Sequence, residues 1–316
     1  MAENGGAAAD RTAAPLIKRK EEHPMKRTLT PQQKLEQGLL TDFRKPIWRP
    51  FVKAIRQYEL IQPGDKIAVC ISGGKDSMLL AKLMQLLHRH TEVPFELVYL
   101  IMDPGYSAKT RALVESNART LGIPYVLFES DVFAASAEAA GQDKNPCFLC
   151  ARMRRGCLYG KAKELGCTKI ALGHHFNDVI ETTVMAMLYG GQLQGMLPRL
   201  KARNFPGMEL IRPLYMVHEE DILAWQAANE LHFIQCACRF TEAAARDAHA
   251  SKRQEVKRLL RTLRQENPSV ELNVFGALHA LDLDTIPAWK SAGQAHSFLE
   301  RFREEEKKDQ KMENQA

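Results

Sequence analysis

The stretch KIAVCISGGKDS at Lys66–Ser77 decides the fold. Its first part, Lys66–Ser72, is a largely apolar run of strand length, and the residues from Asp76 to His90 have the apolar period of a helix. We predict that the apolar side chains of this helix face the core: Met78, Leu79, Leu83, Leu86 and Leu87. Two adjacent glycines on their own are typical of an ordinary tight turn. A glycine-rich loop between a buried strand and a helix, however, lets backbone N–H groups approach a phosphate, so we predict a phosphate-binding loop.

The same alternation of strand and helix continues along the chain. Further strands are predicted at Glu96–Met102, Tyr125–Phe128 and Lys169–Leu172, and further helices at Lys109–Leu121, Cys150–Leu165 and Asn177–Leu188. Outside this region we predict a helix at Phe43–Leu60, a hairpin within Leu197–Met216, and helices at Glu219–Glu230 and Glu242–Gln265. Strands that alternate with amphipathic helices predict an α/β fold with a doubly wound parallel sheet.

The composition divides the chain into five predicted segments. Residues 1–35 are expected to be a disordered basic tail and residues 36–62 an N-terminal helical segment. Residues 63–216 form the predicted α/β domain, followed by a C-terminal helical region over 217–300 and a charged tail over 301–316. We therefore expect the chemistry to lie between the two tails.

Composition excludes several classes of protein. The 316 residues are 45% hydrophobic, which is enough for a sizeable core and excludes a disordered or fibrous chain. A net charge of +6 favours an anionic partner such as nucleic acid. No apolar run reaches the roughly 18 residues of a membrane span, and the N-terminus lacks a signal sequence, so we expect a cytoplasmic protein. The seven cysteines are then expected to be thiols or metal ligands.

The loop Ser72-Gly73-Gly74-Lys75-Asp76-Ser77 is not a Walker A loop, because Asp76 follows Lys75 where that loop has Ser or Thr. It resembles the PP-loop of the N-type ATP pyrophosphatases, which split ATP between its α- and β-phosphates. The resemblance implies that these six residues, Ser72, Gly73, Gly74, Lys75, Asp76 and Ser77, surround the pyrophosphate. It also implies catalytic roles for Lys75 and Asp76, and Mg²⁺ binding by the Asp76 carboxylate.

Two further segments follow predicted strands, at the edge where open α/β sheets bind ligands. By the same resemblance, the segment Asp103–Tyr106, with Asp103 as its site residue, would approach the adenosine of ATP. The segment Gly173-His174-His175-Phe176-Asn177-Asp178 resembles the GHHxxD segment of the superfamily. We therefore expect His174 and Asp178 to belong to the ATP site, although two adjacent histidines alone are more typical of a helix cap or a solvated turn.

Two groups of cysteines have the spacing of a metal site. Cys147 and Cys150 form a C-x₂-C pair, and Cys236 and Cys238 lie close together further along the chain. Spacing alone favours a structural zinc site of four thiolates over a [4Fe–4S] cluster, and a redox disulfide within the first pair is a third interpretation. The remaining cysteines lie in core-like patterns: Cys70, Cys157 and Cys167.

A closer family resemblance favours the [4Fe–4S] cluster over the zinc site. The chain resembles the tRNA 2-thiocytidine synthetase family in Cys147-x-x-Cys150-x-Arg152-x-Arg154-Arg155-Gly156, Thr168–His175, Tyr189-Gly190-Gly191, Gly195-Met196 and Ile211-Arg212-Pro213-Leu214. The similarity covers about Phe43 to Ala280. It implies that Cys147, Cys150 and Cys236 ligate a [4Fe–4S] cluster and act in catalysis. This chain has Cys236-Ala237-Cys238 where the family commonly has C-x₂-C, so Cys238 is an alternative third ligand.

The resemblance implies an ATP-dependent tRNA sulfurtransferase. Adenylation of the C2 oxygen of a tRNA cytidine, at position 32, would be followed by its replacement with sulfur, giving 2-thiocytidine. The implied partners are tRNA and a sulfur donor of the cysteine desulfurase type, and a homodimer is left open. Arg152, Arg154 and Arg155 beside the cysteines are expected to bind tRNA phosphates, against the alternative of a solvated helix face.

Two alternatives stay open at this point. Another PP-loop enzyme that uses an amine as its nucleophile would need no cluster, which the paired cysteines argue against. A uridine-thiolating enzyme with two zinc modules would need additional C-x₂-C pairs near both ends, and the sequence has none. A non-catalytic iron–sulfur protein that binds RNA or senses redox state would not need the intact SGGKDS loop. Pyrophosphate release that depends on tRNA separates an enzyme from a binding protein, and mass spectrometry of the modified nucleoside identifies the product.

Overall fold

A six-stranded sheet forms the centre of the molecule. A computed structural model describes residues 29–140, 146–234 and 252–313 of the chain. The strands of the sheet are β1 (Lys66–Ile71), β2 (Glu96–Asp103), β3 (Val126–Glu129), β4 (Lys169–Ala171), β5 (Arg199–Lys201) and β6 (Glu209–Ile211). Their order is β3-β2-β1-β4-β6-β5, and every neighbouring pair is parallel except β5 with β6. The carboxyl ends of five parallel strands therefore meet at one edge.

Helices lie between the strands of this sheet in the chain, and others come before its first strand and after its last. Those before β4 are α1 (Pro31–Leu40), α2 (Arg49–Gln57), α3 (Lys75–His90), α4 (Ala108–Thr120), α5 (Val132–Ala140) and α6 (Pro146–Glu164). Those after β4 are α7 (Phe176–Gly190), α8 (Glu219–Ala228), α9 (Lys252–Glu266), α10 (Val270–Ala277) and α11 (Phe298–Glu313). A π-helical turn at Arg44–Trp48 precedes α2, and a 3₁₀ turn lies at Leu283–Thr285.

Alternate side chains of β1 enter two different cores. Ile67 and Val69 pack in a cluster that contains residues of α3, whereas Ala68 and Cys70 pack in a second cluster that contains residues of α6. Because successive side chains of a strand point to opposite faces, helices cover both faces of the sheet. The predicted doubly wound α/β fold is confirmed.

The predicted hairpin after α7 forms part of the central sheet, which the sequence did not indicate. Strands β5 and β6 pair antiparallel, and β6 also pairs parallel with β4, so the hairpin extends the main sheet. The predicted helix at Phe43–Leu60 begins instead with the π-helical turn, and α2 ends at Gln57. The helix α9 begins at Lys252, and the earlier part of the helix predicted from Glu242 lies outside the described residues.

The N-terminal tail was predicted to extend too far. Helix α1 starts at Pro31, where the Thr30 side chain accepts from the backbone N–H of Gln33 and closes a capping box. The helix is held on the domain by Glu36, whose Oε1 accepts from the buried Lys82 Nζ at 2.5 Å. A stable cap and a buried ion pair explain why residues predicted as tail are helical here.

The C-terminal region also differs from its prediction. Helices α9 and α10 pack on α7, with Val256 and Leu260 buried against Phe176 and Ile180. An antiparallel hairpin of β7 (Ala288–Ser291) and β8 (Gln294–Ser297) was not predicted, and α11 occupies most of the predicted charged tail. In the part of the chain described, no helix is long and apolar enough to span a bilayer. The division into five segments stays a prediction.

Candidate active site

The glycine-rich loop has a closed, hydrogen-bonded conformation between β1 and α3. Gly73 has a φ of +86°, and Gly74 caps the start of α3. The Ser77 Oγ accepts from the backbone N–H of Ser72 at 3.1 Å and donates to the Gly74 carbonyl oxygen at 2.9 Å. The loop is therefore held by its own serines at the N-terminal end of α3, where the helix dipole favours an anion.

Gly73 is required by the packing around it as well as by its backbone. A Cβ at Gly73 would lie 2.6 Å from Cγ2 of Val114 and 2.8 Å from Cδ1 of Ile234. Ile234 is the last described residue before the segment that contains Cys236. The chain that leads to the second cysteine pair therefore packs directly on the phosphate-binding loop.

The positive charge of the loop lysine is balanced by two carboxylates. Lys75 Nζ donates to Asp76 Oδ1 at 3.0 Å and to Glu219 Oε1 at 3.2 Å. Burial opposes the charge on Lys75, but these two carboxylates outweigh burial and raise the pKa of Lys75. Glu219 lies at the start of α8, and its other oxygen accepts from Lys257 Nζ of α9 at 2.5 Å. Lys75 thus stays charged and is linked through one carboxylate to a distant helix.

The histidine pair after β4 forms a second part of the site. Burial lowers the pKa of His174 to about 4, with a smaller contribution from Arg212, so the imidazole is neutral near pH 7. His174 Nδ1 is buried and has no hydrogen-bond partner among the described residues. A neutral buried imidazole with an open ring nitrogen can act as a hydrogen-bond partner for a substrate.

Asp178 links the segment that carries His174 and His175 to α9. Its Oδ2 accepts from the backbone N–H of His175 at 3.1 Å, and its Oδ1 accepts from Arg253 Nη1 at 2.8 Å. Burial opposes ionisation, but His175, His174 and Arg253 outweigh it and lower the pKa of Asp178. The ring Nε2 of His175 lies 3.8 Å from Asp76 Oδ1 and 3.6 Å from Asp178 Oδ2. Asp178 is therefore an ionised carboxylate close to the loop.

The side chain of Asp103 is hydrogen-bonded to the backbone of the loop that follows it. Its Oδ1 accepts from the backbone N–H of Gly105 at 2.9 Å and of Tyr106 at 2.6 Å. The hydroxyl of Tyr106 in turn donates to the Ser72 carbonyl oxygen at 3.0 Å. Asp103 thus holds the loop that braces the phosphate-binding segment, and its predicted contact with adenosine stays a prediction.

A cavity of about 340 Å³ at the carboxyl edge of the sheet joins the separate parts. Its walls include Ser72, Asp76, Ser77, His174 and Asp178, together with Ala151, Arg154 and Arg155 of α6. The structure thus brings two of the three predicted arginines to the same cavity as the glycine-rich loop. Arg152 is exposed and does not line this cavity.

The cysteines divide into those of the core and those near the cavity. Cys70 and Cys167 are buried, and burial raises the pKa of both thiols, that of Cys70 to about 12. Cys150 is half-buried on α6, next in sequence to Ala151 of the cavity wall. Cys147 lies in the same helix, but its side chain is outside the described part of the chain.

Cys236 and Cys238 lie outside the described residues, so the structure does not choose between them. Among the residues that are described, no three His, Cys, Asp or Glu side chains are arranged to hold a metal ion. Of the predicted ligands, Cys150 has a described side chain, which is half-buried on α6. The ligand set stays a prediction.

Several residues of the site were not predicted from the sequence. They are Tyr106, His175, Arg212, Glu219, Arg253 and Lys257. Arg212 follows β6 and is buried, and burial, with Arg155, lowers its pKa to about 10. Tyr106, His175 and Arg212 lay in segments that the resemblances had singled out, whereas Glu219, Arg253 and Lys257 did not. The latter three come from helices whose position depends on the tertiary fold.

Comparisons with known proteins agree with this geometry. The family model of the PP-loop domain matches residues 47–248. A curated protein from Anaeromyxobacter dehalogenans, named tRNA-cytidine(32) 2-sulfurtransferase, is 37% identical over 246 residues, which cover 76% of this chain and 82% of that protein. This chain belongs to the same family of PP-loop proteins.

Other tRNA-cytidine(32) 2-sulfurtransferases show the same extent of similarity. The protein of that name from Geotalea uraniireducens is 35% identical over 245 residues, covering 77% of this chain and 93% of that protein. Among solved structures, the U34-tRNA thiolase NcsA from Methanococcus maripaludis with its [4Fe–4S] cluster has a TM-score of 0.59 at 21% identity, covering 76% of this chain and 79% of that one. The latter likeness is one of fold. The family predicted from the sequence is confirmed.

Proposed function

We propose that this protein is a tRNA sulfurtransferase that uses ATP to replace the C2 oxygen of a tRNA cytidine with sulfur. Its relatives are named for cytidine 32, and we propose the same position here. The observation that carries the proposal is the shared cavity, in which Ser72 and Asp76 of the PP-loop face Ala151 and Arg154 of the helix that bears Cys147 and Cys150. The PP-loop and the helix that bears both cysteines therefore contribute walls to the same cavity, which supports the proposal.

The first step is adenylation of the base. The C2 oxygen of cytosine attacks the α-phosphorus of ATP, the bond from that phosphorus to the oxygen bridging the α- and β-phosphates breaks, and pyrophosphate leaves. Backbone N–H groups of the loop, the start of α3 and the Lys75 ammonium stabilise the charge that develops on the pyrophosphate. Asp76 supplies a carboxylate for Mg²⁺, which binds the same phosphates.

ATP must displace an existing ion pair to reach Lys75. In the present arrangement Lys75 is bonded to Asp76 and Glu219. Phosphate oxygens would replace the Glu219 carboxylate, which keeps Lys257 as its partner. The neutral His174 can then bond the substrate without adding a positive charge beside Arg154 and Arg155.

The second step replaces oxygen with sulfur. Sulfide attacks C2, the C2–O2 bond breaks, and the oxygen leaves with AMP, so that the base retains a thiocarbonyl group. We propose that Cys147, Cys150 and Cys236 hold a [4Fe–4S] cluster, with Cys238 as the alternative to Cys236. Three protein thiolates leave one iron of such a cluster available to bind sulfide. Packing of Ile234 on Gly73 supports a second cysteine segment that begins at the PP-loop.

The partners follow from this chemistry. The substrate is a tRNA, and the sulfur comes from a donor of the cysteine desulfurase type. A cytoplasmic location and a homodimer are also part of the proposal. Arg154 and Arg155 lie in the cavity wall, so their proposed contact is with phosphates of ATP or tRNA that enter this cavity. Arg152, which is exposed, is proposed to contact tRNA outside it.

The proposal is tested with the full chain purified under anaerobic conditions. We expect tRNA-dependent release of pyrophosphate from ATP, and 2-thiocytidine in the digested tRNA by mass spectrometry. Iron and labile sulfide should be present at about four atoms each per chain, as the cluster's composition requires. Zinc without labile sulfide would contradict the cluster, and pyrophosphate release that does not depend on tRNA would contradict the substrate.

Matched cysteine variants test the ligands. Cys150→Ser, Cys147→Ser and Cys236→Ser should each lose the iron and the thiolation activity. Cys157→Ser is the control, because Cys157 lies on the same helix and is also half-buried, but is not a proposed ligand. Loss of iron from Cys238→Ser but not from Cys236→Ser would assign the third ligand to Cys238.

A further inference from the structure

The segment that runs through the π-helical turn and most of α2 carries five positive charges and no negative charge. Its sequence from Arg44 to Arg56 is RKPIWRPFVKAIR. All five cations are exposed: Arg44, Lys45, Arg49, Lys53 and Arg56. The whole chain has 44 basic and 38 acidic residues, so its composition does not explain a surface with one sign of charge.

The other side of this segment is apolar and packs on the domain. Phe51 is buried in the core cluster that contains residues of α3. Ala54 is buried in another cluster with Val179 of α7, and Val179 directly follows Asp178 of the candidate site. Apolar side chains therefore hold the segment in place, next to a helix that contributes to the site.

The cations of α2 lie on the face that is turned away from this packing. Arg49 and Lys53 are four residues apart, and Arg56 follows three residues later, so the helix places the three side chains next to one another. Phe51 and Ala54 lie on the opposite side of the helix. Like charges at this spacing destabilise a helix, so the cations do not stabilise α2.

The five cations also have no carboxylate partner within the part of the chain that the structure describes. Cations elsewhere on the molecule are used differently, because Arg253, Lys257 and Arg264 of α9 each pair with a carboxylate. A helix face that is only solvated usually carries both signs of charge. Because the fold makes no use of these five charges, an external anion is the better explanation for them.

Two of the cations border a cavity of about 870 Å³ between the segment and the end of α3. Its walls include Arg44, Arg56 and the half-buried ring of Trp48, with His90 on the side of α3. Among the described residues, Glu59 supplies the one carboxylate of these walls. A concave surface with cations and an aromatic ring suits RNA, which offers phosphates and unstacked bases.

The surface is separate from the cavity at the PP-loop. Lys75 begins α3 and His90 ends it, so about 22 Å of helix lies between the loop and the nearest wall of the second cavity. A ligand that contacts both places must be a large one. A tRNA meets this condition, whereas ATP does not.

We propose that the outward face of this segment, formed by Arg44, Lys45, Arg49, Lys53 and Arg56, binds backbone phosphates of the substrate tRNA away from the modified nucleotide. The proposal rests on the proposed function, since it assigns a surface to the tRNA of that reaction. RNA is favoured over an anionic membrane, because the apolar side of the segment is buried in the core and cannot enter a bilayer.

The test is tRNA binding by the full chain, using an unmodified transcript with cytidine at position 32. Affinity is measured over a series of salt concentrations for the wild type and for Arg49→Gln/Lys53→Gln/Arg56→Gln. We expect at least a tenfold loss of affinity and a slope of log affinity against log salt that is smaller by about 2 to 3, as for three lost phosphate contacts. The affinity for ATP should change less than twofold.

Folding of the variant is checked by urea denaturation. The three substitutions remove like charges from one helix face, so the variant should be at least as stable as the wild type. If it is less stable, Arg44→Gln/Lys45→Gln on the π-helical turn gives a second comparison, with a slope smaller by about 1 to 2. Unchanged tRNA affinity and slope in a folded variant would overturn the proposal.

A variant that loses three cations elsewhere is the control. Lys307→Gln/Lys308→Gln/Lys311→Gln removes three exposed lysines from α11 and should leave tRNA affinity within twofold of the wild type. A loss equal to that of the α2 variant would show that net charge alone matters, and would overturn the proposal. So would binding to phosphatidylglycerol vesicles that the α2 variant loses while it keeps its tRNA affinity.

Thiolation kinetics separate this surface from the proposed function. If both are right, the α2 variant reaches the wild-type rate at saturating tRNA, and its KM for tRNA rises at least tenfold. If only the surface is wrong, KM for tRNA is unchanged. If only the function is wrong, the variant still loses tRNA affinity, but the wild type makes no 2-thiocytidine. A wild type that binds no tRNA overturns both.

Discussion

Replacement of Gly73 by alanine should damage both the PP-loop and the packing of the chain that leads to Cys236. Gly73 has a φ of +86°, which L side chains rarely adopt. The new Cβ would lie 2.6 Å from Val114 Cγ2 and 2.8 Å from Ile234 Cδ1. Both contacts are too short to persist, so either the loop or Ile234 must move.

The magnitude follows from two contributions. Holding a non-glycine residue at this φ costs about 1–2 kcal/mol. Inserting a methyl group into packed side chains costs a further 1–3 kcal/mol or so. Because Val114 is β-branched and sits on α4, we expect little relief from its side chain. The free energy of unfolding should therefore fall by about 2–5 kcal/mol.

Gly74→Ala is the matched control. Gly74 has a φ of −79°, and a Cβ there would lie 3.7 Å from the nearest atom, the Ile234 carbonyl oxygen. Its backbone is compatible with alanine, and the loss at an N-cap should stay below about 1 kcal/mol. Urea denaturation of both variants, without nucleotide, measures the difference directly. ATP affinity measured by equilibrium binding should fall more for Gly73→Ala.

Equal stability of the two variants would refute this reasoning. It would mean that the loop relaxes to a negative φ at Gly73 without loss, or that Ile234 does not pack on it. A large loss for Gly74→Ala with none for Gly73→Ala would have the same consequence. Loss of iron from anaerobically purified Gly73→Ala would in addition indicate that the displaced Ile234 carries Cys236 with it.

Three further predictions concern charges at or beside the site. Burial lowers the pKa of His174 to about 4, so below about pH 6.5 the unfolded chain binds a proton at this residue that the folded chain does not bind. Between pH 7 and pH 4.5 the free energy of unfolding of the wild type should therefore fall by about 2–3 kcal/mol, as measured by urea denaturation, and that of His174→Gln should not. Glu181 is a buried residue of α7 whose Oε2 lies 3.7 Å from Arg253 Nη1. Burial outweighs Arg253 and raises the pKa of Glu181 to about 7, so the cost of its charge grows between about pH 4.5 and pH 7 and is fully present above pH 7. Glu181→Gln should therefore be more stable than the wild type at pH 8, by up to about 2–3 kcal/mol, and no more stable at pH 4.5; a constant difference across this range would contradict the assignment. Glu219→Gln removes a competitor for Lys75 and should bind ATP several-fold tighter in equilibrium titrations, and weaker binding would show that Glu219 positions the lysine for phosphate.

Local patterns in the sequence were sufficient for the fold class and for part of the site. An apolar run followed by SGGKDS and a helical period predicts a strand, a phosphate-binding loop and a helix, because all three depend on residues within about 25 positions of one another. Ser72, Asp76 and Ser77 of that loop line one cavity with His174 and Asp178, which were predicted from the resemblance to the superfamily. The resemblance of the cysteine segments to a known family supplied the proposed chemistry.

Tertiary structure alone decided which distant groups meet that cavity. Glu219 reaches Lys75 across 144 residues, and Arg253 reaches Asp178 across 75. No period or spacing in the sequence encodes such a contact, because it depends on the order of the strands and on how α8 and α9 pack. The sequence by itself therefore determined the elements and the loop, whereas the packing of helices against the sheet decided which charges surround the loop. Side-chain periodicity acts over one or two turns, and the electrostatics of a buried site depends on every charge that the fold brings near it.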